Sequence, residues 1–115
     1  MKLISVDVFN LDVAVFTSDR ARVKHLRKEG CEPDKHDPAA IASSHLDITK
    51  EGDFRLSFVI KPHASKATLA HECSHMADFI CNLLGIPISL KNTEIRAYLV
   101  QHLFAALEEQ LESDK

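Results

Sequence analysis

The segment from Ser65 to Pro87 limits what this chain can fold into more than any other, because it reads as one long helix carrying two histidines on the same side. Ser65 is a good N-cap, and Gly85 followed by Pro87 supplies a left-handed stop and then a residue that cannot continue the helix. The pattern predicts a helix over 66–84, with Leu69, Met76, Phe79, Ile80, Leu83 and Leu84 as the apolar side that packs on a sheet. His71-Glu72-Cys73-Ser74-His75 lies in the middle of it. Residues four apart on a helix are neighbours, with Cβ atoms about 5–6 Å apart, so both imidazoles can reach a single tetrahedral Zn²⁺.

Glu72 flanks such an ion without having to bind it. This is the H-E-x-x-H arrangement, in which the glutamate is the general base that takes a proton from a water at the metal. With 7 histidines in 115 residues, the competing reading is an accident of a His-rich chain. The helical setting of the motif favours the metal.

A catalytic zinc site has three protein ligands and a water, so two histidines need a third partner. Glu94 is the leading candidate: it stands 19 residues after His75 near the start of the next predicted helix, and 85–92 is long enough to turn that helix back alongside the first. Glu94 also suits a helix N-terminus simply because the macrodipole favours negative charge there. Asp78, three residues beyond His75 on the same helix face, can bind the ion or orient a histidine. Cys81 reads as core. Cys73 lies about 200° around the helix from His71 and is expected to point away from the ion. Of the remaining histidines, His25, His36, His45 and His63 lack comparable spacing and read as surface or loop residues.

At 115 residues the chain is expected to be one domain, 1–115, with a single core and no separate substrate domain. A formal charge of −3 and no long basic run argue against nucleic acid as a partner. Arg20, Arg22, Lys24, Arg27 and Lys28 fall where the solvated side of a helix would be. Three cysteines, Cys31, Cys73 and Cys81, with no CxxC pair, suggest a reducing compartment. No export signal is visible at the first residues, and no apolar run approaches the roughly 20 residues of a membrane span. The expectation is a cytoplasmic protein without a membrane partner.

Alternation predicts strands over 2–9 and 11–17, with either a tight turn at Asn10 to Asp12 or one long bent strand. A helix follows over 19–29, capped by Ser18 and closed by Gly30. The proline-bracketed stretch 32–38 is a surface loop. Residues 40–49 and 53–61 flank Lys50-Glu51-Gly52 as a hairpin, in whose second strand Phe54, Leu56, Phe58 and Ile60 share one face, opposite Arg55, Ser57 and Val59. A last helix starts at Asn92 or Thr93 and runs to 112, with Ile95, Leu99, Val100, Leu103, Phe104 and Leu107 inward. The order gives an α+β domain with a small antiparallel or mixed sheet.

The motif with Glu94 downstream resembles the gluzincin group of zinc metallopeptidases, which carry H-E-x-x-H on one helix and a glutamate ligand on the next. Glu94-Ile95-Arg96-Ala97 also looks like the E-x-x-A signature of small zincins, and the layout is similar to minigluzincins and to small zincin-like proteins of bacteriophages and prophages. The resemblance covers 66–104. It implies a zincin-like fold, a sheet packed on an active-site helix and a C-terminal glutamate helix, with His71, His75 and Glu94 as zinc ligands and Glu72 as base. It further implies a peptide or protein substrate added along an edge strand, here Phe54 to Ile60. The chain has no room for the C-terminal subdomain that supplies an oxyanion-stabilising histidine in the larger enzymes. Tyr98 and His102, at four-residue steps from Glu94, are the candidates to replace it, with plain helix packing as the alternative for each.

The function that follows is peptide-bond hydrolysis by a small zinc metallopeptidase. The alternatives are a non-catalytic zinc-binding interaction module and, third, a metal-free helical interaction domain. A tail carrying Glu109, Glu112 or Asp114 over the zinc is a further option that no spacing supports.

Overall fold

Alternating residues at the start of the chain build β1 (Lys2–Val6) and β2 (Leu11–Phe16), which pair antiparallel. The strand expected over 2–9 ends at Val6. Residues Asp7–Phe9 wind into a single 3₁₀ turn that Asn10 closes, donating its backbone N–H to the Asp7 carbonyl at 3.1 Å from a left-handed conformation with φ 53°. Asparagine tolerates that region better than most residues, which is why the chain reverses here instead of bending through. This computed structural model of the protein describes residues 1–34, 37 and 39–113; His36 and Asp114, both named from the sequence, lie outside the described residues.

The next helix, α1 (Asp19–Lys28), begins where Ser18 Oγ accepts the Ala21 N–H at 3.2 Å. It ends at Gly30, whose φ of 87° lets Cys31 donate back to the Leu26 carbonyl at 2.9 Å. The predicted hairpin is present as β3 (Ala42–Ile48) and β4 (Phe54–Ile60), with Gly52 at φ 91° in the turn and Thr49 donating to the Asp53 carbonyl at 2.8 Å.

The four strands form one mixed sheet in the order β1-β2-β4-β3, with β2 and β4 parallel and both outer pairs antiparallel. The fold is therefore α+β. This order corrects one expectation: Phe54–Ile60 is an inner strand, paired along its length to β3 on one side and through Leu56 to Val59 with β2 on the other. Its backbone donors and acceptors are used, so a peptide cannot add along it. The edges are β1 and β3. The crossover from β2 through α1 is what slips β2 in beside β4, and hairpin signals alone do not reveal it. An inner position also explains why Leu56 through Ile60 are all buried, where alternation had suggested one wet face.

On the sheet face carrying Asp47 and Arg55, Arg22 of α1 is fully buried. Its Nε donates to Asp19 Oδ1 at 2.8 Å, one terminal nitrogen to Asp47 Oδ2 at 3.1 Å and the other to the Asp34 carbonyl at 2.6 Å. One guanidinium thus ties α1, β3 and the following loop together, where the sequence had suggested a solvated position. Burial pushes the Asp47 carboxyl above its ordinary range, although Arg22 draws it the other way.

The folded chain divides into two compact units, Met1–Ala64 and Ser65–Lys115. The second consists of α2 (Lys66–Leu83) and α3 (Thr93–Ser113), joined by a connection that includes a 3₁₀ turn at Leu90–Asn92. Ser65 Oγ accepts the Thr68 N–H at 3.1 Å, and Gly85, at φ 69°, lets Ile86 donate to the Cys81 carbonyl at 2.9 Å, so both ends of α2 are closed as their residues predict. Lys66 pairs with Glu108 near one end and Asp78 with Arg96 near the other, so the helices run antiparallel. Among the described residues no helix is long and apolar enough to cross a membrane.

Arg22→Ala is expected to cost about 3–5 kcal/mol in urea denaturation, the range for removing one partner of a buried charge network. Asp47 carries an already raised pKa, so its ionisation opposes folding and does so more without Arg22. The loss should be largest at neutral pH and shrink as acid protonates Asp47. An equal loss at all pH values would show that Asp47 is not the group left uncompensated.

Candidate metal centre

The residues of α2 divide by angle. Leu69, Cys73, Met76, Ala77, Ile80 and Cys81 are buried, while His71 and His75 are exposed on the other side, with Asp78 half-buried beside them. Cys81 lies in the core, as expected, and Cys73, expected to point away from the histidines, is also in the core with no exposed surface. Burial, aided by the charge of adjacent Glu72, pushes the Cys73 thiol up to about 12. Glu72 stands at the margin between the two sides, 8% exposed.

The two imidazoles converge. Their Nε2 atoms are 3.0 Å apart, and the rings meet edge to face with centroids 4.6 Å apart. Two Zn–N bonds of about 2.0–2.1 Å at a tetrahedral angle would put the nitrogens about 3.3 Å apart, a few tenths of an ångström from what is seen. The same separation suits a hydrogen bond with one ring donating to the other. The pair therefore meets the distance requirement for two donors to one ion with little rearrangement.

The third ligand is not brought to it. Among the described residues no group of three His, Cys, Asp or Glu side chains is arranged to hold a metal. The reason lies in the rotation of α3. Arg96 reaches across to α2, donating from Nε to Asp78 Oδ1 at 2.7 Å and from a terminal nitrogen to the Ser74 hydroxyl. Leu99, Leu103 and Leu107 are fully buried along the same side of the helix. Glu94 precedes Arg96 by two residues, about 200° around the helix, and so faces outward, where it is exposed. The set His71, His75, Glu94 is consequently not assembled.

Tyr98 shares the outward side of Glu94 and is 43% exposed. Its ring stacks on that of His102, with centroids 5.9 Å apart and planes 23° apart. The structure brings these two candidates for oxyanion stabilisation to each other, on a side of α3 turned from α2. Asp78 is on the histidine side, but its Oδ1 is engaged by Arg96. That hydrogen bond, with the charge of Asp78, holds the Arg96 proton more firmly than usual.

Arg96 and Ser74 were not singled out from the sequence. The signal was present in the apolar stripe of the last helix: Leu99, Leu103 and Leu107 extended backwards by one helical step give Ile95 and Arg96, not Glu94. In the first unit, a surface hollow of about 400 Å³ is lined by Arg27, Gly30, Cys31, Glu32, Pro33 and Lys50, and none of the predicted site residues lies in it. No protein-family model, curated protein or solved structure matches the chain.

Complete burial and a raised pKa make Cys73 inert. Iodoacetamide at mildly alkaline pH should leave it unmodified in the native protein and alkylate it fully after denaturation, as read by peptide mass spectrometry. Rapid native labelling would mean that the buried side of α2 opens to solvent.

Proposed function

We propose that the protein is a zinc-dependent hydrolase of peptide bonds, with His71 and His75 as its metal-binding pair and Glu72 as its base. The observation that carries this reading is the 3.0 Å convergence of two imidazole nitrogens on an exposed helix face, with a glutamate immediately after the first histidine. Zinc bound at the pair would polarise a scissile carbonyl and acidify water. Glu72 accepts the proton of the attacking water and returns it to the leaving amine. An exposed pair admits a substrate without prior unfolding of α2. The zincin-like character of the fold belongs to this same proposal, and rests on the resemblance over 66–104.

A second reading has an observation of its own. Glu94 faces away, which leaves two converging donors among the described residues where a catalytic zinc usually has three. That count favours a non-catalytic zinc-binding module that retains the motif for binding.

Zinc content and peptide cleavage should be measured together on wild type, Glu72→Gln and Glu94→Ala. For a hydrolase, Glu72→Gln keeps its zinc and loses about 10²–10⁴-fold in turnover, the usual contribution of a general base. Chelator-resistant cleavage, or equal rates in both proteins, rules the mechanism out. Zinc held by both with no cleavage by either decides for the binding module. Glu94→Ala should leave zinc affinity essentially unchanged, as its outward position requires. A loss of about tenfold or more, the scale seen when a group supporting a metal site is removed, would show that Glu94 turns inward when the ion binds.

A further inference from the structure

The pair supplies half of a closed zinc site. Structural zinc takes four protein ligands, and among the described residues this face offers the two imidazoles, with Asp78 beside them engaged by Arg96. A two-fold symmetric contact places the same patch of each subunit against itself, so two copies meeting on this face present two plus two imidazoles. We propose that zinc joins two copies of this chain through His71 and His75 of each, and that this four-histidine dimer is the resting, closed form of the site. The inference rests on the reading of the pair as a zinc site and adds its regulation.

The surroundings of the pair suit a close approach. Ala67, one helical step before His71 on the same row, is exposed, as is Ala70 next to it. Neither has a side chain long enough to hold a second helix away. Asp78, on the same side of α2 as the pair, is paired within the chain to Arg96 at 2.7 Å. Imidazoles that are already exposed need no local unfolding to be shared. Once four imidazoles surround the ion, no position is left for water or for a substrate carbonyl, so the dimer is inactive and the separated chain is the form that can react.

The test is a zinc titration of the full, chelator-treated chain followed by sedimentation equilibrium, with bound metal measured in parallel. The expected result is a doubling of mass that completes at about half an equivalent of zinc per chain, the ratio set by four ligands shared between two chains. The mass should return to that of one chain on adding chelator. His71→Ala and His75→Ala should stay single under the same conditions; both positions are exposed, and circular dichroism checks that the variants are folded. Ala67→Arg should bind zinc yet remain a single chain. One zinc per chain without association overturns the shared site and leaves the proposed hydrolase standing. No zinc bound overturns both. A dimer that survives chelator, His71→Ala or Ala67→Arg overturns the inference by placing the contact elsewhere.

Discussion

The rotational phase of α3 is the constraint on which the candidate site depends. A helix buries one side, and here Leu99, Leu103 and Leu107 occupy it with no exposed surface. Arg96 lies on the same side and reaches Asp78 and the Ser74 hydroxyl on α2. Rotating α3 to aim Glu94 at the histidines would take three leucines out of the core, at about 1.5–3 kcal/mol each, and separate an ion pair besides. The ion pair alone is a weak restraint, since both side chains are about a third exposed. The leucines dominate.

α2 shows the complementary division. Its buried side holds Cys73, Met76, Ala77 and Ile80, and the histidines lie outside, where water can solvate the two imidazoles. The four-residue spacing of His71 and His75 then brings their nitrogens to 3.0 Å. The convergence of the two imidazoles arises from local helix geometry alone, and a glutamate sits beside them for the same reason. In the proposed zinc reading, water and substrate would complete the pair as an open centre, and a second pair would close it.

In the first unit the same contest between local pattern and tertiary demand has a different outcome. Arg22 falls in a run of basic residues that reads as a solvated face, yet it is fully buried because Asp19, Asp47 and the Asp34 carbonyl surround its guanidinium with acceptors. The three partners come from α1, β3 and the loop between them, so no window of sequence contains them all. Likewise the strand Phe54–Ile60 carries alternating residues that suit a half-exposed edge, and becomes an inner strand because β2 is delivered beside it by the crossover through α1.

The elements themselves were legible. Ser18 and Ser65 as caps, Gly30, Gly52 and Gly85 at positive φ, and the alternation of β2 and β4 act within a few residues, and each element formed within a residue or two of its predicted bounds. The exception, β1, stopped short because Asn10 accepts a left-handed conformation that alternation does not register. The histidine pair was legible for the same local reason, since i and i+4 are neighbours on any helix. Only the tertiary structure decided the order of the strands, the burial of Arg22 and the direction of Glu94. Each of these depends on which distant side chains share a core, and spacing along the chain carries no record of the angle at which one helix meets another.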